Sequence, residues 1–264
     1  MAVTKRLRLD AELVRRGLSE SRASARQAVK DGRVTVRGLP ATKADTVVSA
    51  DIPIAIEGPG RRFVSRGGEK LDAALDRFGI SVENRRWLDA GASTGGFTDC
   101  LLQRGAAAVA AVDVGYGQFD WSLRNHDRVF LLERTNVRAL SRDDLPWIPQ
   151  GVVADLSFIS LRLVLPALRT TADTGADFVL LVKPQFEVGR ERVGKGGVVS
   201  DPADWSDAVG AVVTGAKTLD LNLVDAAPSA LMGPAGNVEF FVHLAEGAPH
   251  APDAIDRAID EATT

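Results

Sequence analysis

The segment DFVLLVKPQFE, residues 177–187, runs five apolar residues straight into Lys183 and then a proline. A lysine closing a buried strand is costly unless something there uses its ammonium group. Asp155 closes a second apolar run, GVVAD, and Glu239 opens a third, EFFVHL. Lys70 stands in EKLDAALDRFG, where Leu71, Ala74, Leu75 and Phe78 recur at helical spacing. In the first turn of such a helix a cation opposes the dipole, which hints at a tertiary partner. Two amines and two carboxylates brought together make a charge-balanced set of ionisable groups able to manage a proton. Singly, each has an ordinary role: Asp155 as a turn cap, Lys183 snorkelling from a strand end, Glu239 and Lys70 in solvent.

A second constellation is WLDAGASTGGFTD, residues 87–99, with the signature of a strand, a small-residue loop and a helix start. Gly91, Gly95 and Gly96 permit a tight turn and a close approach. Asp113, 22 residues after Gly91, ends the next strand and is placed to accept hydrogen bonds from ribose hydroxyls. The dinucleotide fingerprint fails because Ser93 occupies its second glycine position, and no Gly-Lys-Ser/Thr follows to make a phosphate loop. An adenosine-type ligand held by its ribose fits; a glycine turn beside an exposed acid is the plain alternative.

These residues need a scaffold. From residue 86, the strand candidates RWLDAG, AAVAAVDVG, RVFLLER, GVVADLSF and DFVLLVKP alternate with helical stretches such as GGFTDCLLQRG and SLRLVLPALRTTA. That alternation implies a parallel sheet covered on both faces. The stretch NLVDAAPSALMGPAGNVEFFVHL reads as two strands joined by a Pro/Gly-rich turn, adding an antiparallel strand. Ligands of open α/β sheets sit beyond the carboxyl ends of the strands. Asp155 and Lys183 would share that rim, and Glu239 would join them if its strand runs antiparallel.

The first segment differs. In LRLDAELVRRGLSESRASARQAVKDGRVTVRG, one short helix ends at Gly17, and a second, capped by Ser19, stops at Gly32. RVTVRG and ADTVVSADIPIAI supply strands, and EGPG, residues 57–60, marks a hinge. The expected division is a small domain over 1–58, a linker over 59–67 and a large domain over 68–264. The formal charge of −3 is unevenly spread: residues 1–66 carry +7 and the rest −10. Arg22, Arg26 and Lys30 repeat every four residues, about 6 Å apart along a helix and drifting about 40° per step. With Arg6, Arg33, Arg37 and, past the hinge, Arg66, they form a cationic stripe suited to a phosphate backbone, or simply a solvated face. The loop GRERVGKGGVVSD is also basic, and either closes over the same polyanion or is merely flexible. A single cysteine, Cys100, excludes an internal disulfide. No apolar signal core or run of about 18 apolar residues is present, which suggests a cytoplasmic protein, and nothing in the sequence requires a metal.

DAGASTGGFTD, ADLSFISL and LVKPQFE resemble the TlyA-type rRNA 2′-O-methyltransferases, also called hemolysins. The large domain is similar to the wider FtsJ-like ribose methyltransferases, and the first segment to S4-like RNA-binding domains. The resemblance implies a Rossmann-like methyltransferase sheet, parallel with one antiparallel strand, preceded by a small α+β S4-like domain. It implies S-adenosylmethionine as donor, the 2′-hydroxyl of cytidine in 16S and 23S rRNA as acceptor, and ribosomal RNA or subunits as partner. The family's catalytic tetrad falls on Lys70, Asp155, Lys183 and Glu239, with Lys183 at the attacking oxygen. Its cofactor site falls on Asp89, Gly91, Ala92, Ser93, Thr94, Gly95 and Gly96, with Asp113 as the ribose acid. Asn136 either faces the adenine or only caps a helix.

Three other functions compete. Base-directed N-methyltransferases place Asn/Asp-Pro-Pro-Tyr/Phe at the fourth strand end, where this chain has Asp155-Leu156-Ser157-Phe158 without either proline. A membrane-active cytolysin would need an apolar span or a strongly amphipathic basic helix. An RNA-binding module without catalysis would have no use for the tetrad.

Overall fold

A computed structural model describes residues 6–19, 21–58 and 62–264, and the chain divides into two units, residues 1–60 and 61–264. The first contains β1 (Arg6–Arg8), α1 (Leu9–Arg15), α2 (Arg22–Lys30), β2 (Val34–Val36), β3 (Leu39–Pro40), β4 (Val47–Ser49) and β5 (Ile54–Ile56). Leu9, Leu13, Ala25, Ala28, Val29, Val34 and Val48 make its core. Gly17 and Gly32, at φ +68° and +69°, follow the two helices in the left-handed region as expected. The cap of α2 is Ser21 rather than Ser19. Ser21 is extended and its hydroxyl accepts from the Ser24 amide at 3.1 Å, while Ser19 donates to the Ser21 carbonyl. β1 and β3, three and two residues long, are too short to show a period in the sequence.

The second unit runs α3 (Arg66–Phe78), β6 (Arg86–Ala90), α4 (Gly96–Gln103), β7 (Ala108–Val112), α5 (Trp121–Arg124), β8 (Val129–Leu132), β9 (Gly151–Ala154), α6 (Leu165–Thr171), β10 (Asp177–Val182), α7 (Pro184–Glu187), α8 (Pro202–Lys217), β11 (Leu221–Pro228), β12 (Phe240–Glu246) and α9 (Asp253–Thr263). Its seven strands form one sheet in the order β11-β12-β10-β9-β6-β7-β8. β12 runs antiparallel between β10 and β11, and the other pairings are parallel. The mostly parallel sheet with one antiparallel strand therefore stands as expected.

Each face of the sheet has its own core. Leu88, Ala110, Val152, Leu180 and Val242 pack beneath residues of α6, α8 and α9. Trp87, Val109, Val153, Leu181 and Phe241 pack beneath Leu71, Ala74 and Leu75 of α3 and Phe97 and Leu101 of α4. The second unit takes in part of the expected linker. Phe63 is buried in the α3 core, and Ser65 accepts from the Gly67 amide to cap α3. Lys70 consequently lies in the second turn of α3, so the dipole gives no reason for its partner.

Candidate active site

Strand alternation places the two acids and Lys183. On β9, β10 and β12, Ala154, Val182 and Phe240 belong to the core under α6 and α8. Val153, Leu181 and Phe241 belong to the core under α3 and α4. Asp155, Lys183 and Glu239 extend those strands by one residue, so alternation turns all three toward the α3 face. The strand order then sets Glu239, Lys183 and Asp155 side by side along the carboxyl rim. The antiparallel register Val182↔Phe240 puts Lys183 next to Glu239.

The four side chains form two ion pairs. Lys183 Nζ lies 2.6 Å from Asp155 Oδ1 and donates to Ser157 Oγ at 3.0 Å. Lys70 Nζ reaches Glu239 Oε2 at 2.5 Å, with both groups buried. A groove of about 410 Å³ bordered by Lys70, Arg77, Ser229, Met232 and Phe241 reaches the lysine of this second pair.

The glycine loop adjoins the rim because its glycines allow two close packings. A Cβ on Gly91, at φ +86°, would stand 2.5 Å from the Asp155 carbonyl oxygen. One on Gly96 would meet Ser65 Oγ and lie 3.0 Å from the Gly68 amide nitrogen. These contacts clamp β6 to β9 and α4 to α3, so the small residues serve the protein's own packing first. Ser93 and Thr94 are left exposed on the loop.

Asp113 holds this loop in place. Its carboxylate accepts from the Ser93 amide at 2.8 Å, the Gly115 amide at 2.6 Å and Gln118 Nε2 at 3.1 Å. Asp89 is fully buried, and Oδ2 accepts from Thr98 Oγ1 at 2.6 Å. Oδ1 has no hydrogen-bond partner among the described residues. Burial pushes the Asp89 carboxyl up to about 7, against the opposing hydrogen bond from Thr98. A buried acceptor without a donor fits a ligand that brings its own N–H, such as an amino acid's ammonium. Asn136 accepts the Arg138 amide at 3.0 Å and so caps the 3₁₀ turn 137–139 with its side-chain oxygen, while its amide NH₂ takes no part in the cap.

In the small unit the basic stripe is partly structural. Arg22 and Arg26 both bind the buried Asp10, at 3.1 and 2.8 Å, together with Arg8 at 3.3 Å. Burial alone would raise the Asp10 carboxyl, but hydrogen bonds from Arg26, Arg8 and Arg22 hold it well below the usual carboxylate range. Arg33 donates to the Glu57 and Gly58 carbonyls. Arg6 and Lys30 are exposed, as is Arg37, which stands with Gly38 at a hairpin turn with positive φ at both residues. In the second unit, exposed Arg66 donates to the Met232 carbonyl at 3.3 Å. The basic loop after α7 is anchored rather than free. Asn237, buried, accepts the Val199 amide and donates to the Gly197 carbonyl, both at 2.9 Å. Ser157 and Asn237 were not among the expected site residues, because nothing in their local sequence marks a partner dozens of residues away.

The parallel sheet, its single antiparallel strand and the rim beside a glycine loop define the methyltransferase class of α/β fold. The fold is shared with a Listeria monocytogenes structure described as an S-adenosylmethionine-dependent methyltransferase, at TM-score 0.53 and 12% identity over 70% of this chain and all of that one. Residues 63–246 match the FtsJ-like methyltransferase family and residues 7–51 the S4 domain. The 16S/23S rRNA (cytidine-2′-O)-methyltransferase TlyA of Mycobacterium tuberculosis is 52% identical over 98% of this chain and 99% of its own. A Streptococcus thermophilus structure described as a hemolysin superposes at TM-score 0.78, with 37% identity, over 99% of this chain and 97% of that one. The chain belongs to the FtsJ-like methyltransferases, in the TlyA family that couples this fold to an S4 domain. Among the described residues no helix is long and apolar enough to cross a membrane, whatever the older hemolysin names suggest.

Proposed function

We propose that this chain transfers a methyl group from S-adenosylmethionine to the 2′-hydroxyl of cytidine in 16S and 23S ribosomal RNA, acting in the cytoplasm. The observation that carries this reading is the alignment of Glu239, Lys183 and Asp155 on neighbouring strands, on the face where Lys70 joins them, beside the glycine loop. When bound, the donor supplies a methyl carbon already activated by the adjacent sulfonium. The protein must therefore orient a weak oxygen nucleophile and manage one proton, and orientation can supply much of the rate.

Lys183 is the group assigned to the attacking oxygen. As an ammonium its Nζ would stabilise the developing alkoxide while the hydroxyl proton passes to water, and if neutral it would take that proton itself. Asp155 and Ser157 fix that nitrogen in position. The Lys70–Glu239 pair walls the same face with balanced charge. For the donor, Asp89 Oδ1 would accept the ammonium of the methionine part. The loop from Gly91 to Gly96 would pass along it, with Ala92, Ser93, Thr94 and Gly95 between the two packing glycines. Asp113, with lone pairs beyond those it gives the loop, would take the ribose, and the Asn136 amide group would face the adenine. Arg6, Arg22, Arg26, Lys30, Arg33, Arg37 and Arg66 would hold the RNA backbone.

The test is transfer of labelled methyl from S-adenosylmethionine to 16S and 23S rRNA by the purified protein. Nuclease digestion and mass spectrometry then locate the group. A methyl on cytidine ribose is expected. A methyl on a base would favour the N-methyltransferase alternative, and absence of transfer a purely RNA-binding role. Dye leakage from liposomes by the Lys183→Ala protein would revive a cytolytic one.

A further inference from the structure

Two signature segments meet at the rim: residues 155–161, leaving β9, and residues 183–187, leaving β10. Five contacts, in three groups, tie them together. Lys183 binds Asp155 and Ser157. The Phe158 and Phe186 rings lie 5.3 Å apart. Glu187 accepts from Ser160 Oγ at 2.5 Å through Oε2 and from the Leu161 amide at 2.6 Å through Oε1. Lys183 and Asp155 are accounted for by the chemistry; Glu187 is not.

Its surroundings are unusual for a carboxylate. The Glu187 side chain is 1% exposed, and its nearest cation is Arg162, at 3.5 Å on the solvent side. Burial raises its carboxyl above the ordinary value, against hydrogen bonds from Ser160 and Leu161 and the charge of Arg162. A buried acid whose ion pair is this long, to a half-exposed arginine, relies mainly on the hydrogen bonds it accepts, here from Ser160 and Leu161. What stands between its two anchor points and Lys183 is Phe158, 91% exposed and at φ +64°. A bulky residue in the left-handed region is strained, and such a conformation survives only when the flanking structure over-determines it. Upstream, the segment is held by the Asp155 amide on the Ala90 carbonyl; downstream, by Glu187. The peptide carrying Ser157 is thus stretched between two fixed points.

We propose that Glu187 is a positioning residue for methyl transfer. By clamping Ser160 and Leu161 it holds the strained turn at Phe158, and so keeps Ser157 on the Lys183 nitrogen. It acts on the reacting oxygen only through Lys183, so the inference rests on the role proposed for that lysine.

The test compares Glu187→Ala, Glu187→Gln and the milder Ser160→Ala with the wild-type chain. Single-turnover methyl transfer to rRNA is measured at saturating donor and RNA, beside calorimetric donor affinity. Glu187→Ala should slow transfer by tenfold or more per folded molecule while donor affinity stays within twofold. Glu187→Gln, whose amide oxygen still accepts the Leu161 N–H, should recover most of the rate, and Ser160→Ala should fall between. Unchanged rate in Glu187→Ala, or a rate loss matched by an equal loss of donor binding, overturns the proposal. A crystal structure of Glu187→Ala decides independently of what the enzyme methylates. The Ser157–Lys183 hydrogen bond should be broken and Phe158 should have left positive φ. If both persist, the clamp is wrong even with the methyltransferase assignment intact. If both are lost while wild-type protein transfers no methyl, the clamp stands and the assigned reaction fails.

Discussion

Lys70 and Glu239 are 169 residues apart in the chain, yet their charged atoms meet 2.5 Å apart with side-chain exposures of 8% and 1%. Neither could be buried alone, since an isolated charge in the interior is strongly destabilising. Removing one partner of such a pair costs about 3–5 kcal/mol, whereas replacing both by apolar groups is often neutral. Glu239→Ala is therefore expected to lower the unfolding free energy by about that amount. The double variant Lys70→Met/Glu239→Leu should regain most of it. Chemical denaturation measures both, and methyl transfer should be lost in each. An active double variant would remove the pair from the mechanism.

Lys183→Ala should abolish methyl transfer while leaving S-adenosylmethionine affinity nearly intact, because its contacts are Asp155 and Ser157 rather than the glycine loop. Calorimetry and a labelled-methyl assay on the same preparation separate the two effects. Wild-type turnover would refute the assignment.

Asp89 gives a pH signature. Its carboxyl is raised from 3.8 to about 7 in the folded chain, chiefly by burial. Its contribution to stability is then full below the unfolded value and is lost as pH rises through about 7. Relative to Asp89→Asn, which does not titrate, the wild-type protein should lose stability between about pH 4 and pH 7. Parallel melting curves for the two proteins across that range would contradict the shift. Donor binding should run the other way. An ammonium on Oδ1 favours the ionised acid, so affinity should rise across the same window and flatten in the variant.

Gly91→Ala should disrupt the rim through the backbone. The added carbon would lie 2.5 Å from the Asp155 carbonyl at φ +86°. Overpacking costs about 1–3 kcal/mol, and left-handed strain adds about 1–2 kcal/mol. A fall in melting temperature with loss of transfer is expected; an unchanged Tm would show that β6 and β9 can separate cheaply.

The basic residues of the small unit should divide into two kinds. Lys30→Ala should weaken rRNA binding and reduce the salt slope by about one, with little effect on stability. Arg26→Ala should do the same and also destabilise the unit, because Asp10 is buried and loses a 2.8 Å partner. Salt-dependent binding and thermal melting of both variants check this. Equal melting temperatures would mean that Arg8 and Arg22 suffice for Asp10.

Much of this was written in local sequence. The parallel strands from Arg86 to Val182 are apolar runs punctuated by glycine and charge, and their shortness and flanking residues mark them as strands rather than helices. α8 and α9 are helices that the reading of the sequence leaves out, although α9 is plainly amphipathic, and β1 and β3 exist only through their pairing partners. Residue type and strand-end position also singled out Lys183, Asp155 and Glu239. Their chemistry could be guessed because a charge at the end of an apolar run is costly to keep.

The tertiary structure decided who meets whom. Lys70 pairs with Glu239 and Lys183 with Asp155, a choice set by strand order and alternation rather than by spacing along the chain. It decided that Arg22 and Arg26 serve Asp10 as well as the surface, and that the glycines of the loop admit Asp155 and Ser65 before any ligand. It also revealed the clamp of Glu187 on Ser160 and Leu161. Sequence records which groups are expensive to bury, because that cost belongs to each residue type. The group that offsets the cost is fixed only by distance in the folded chain.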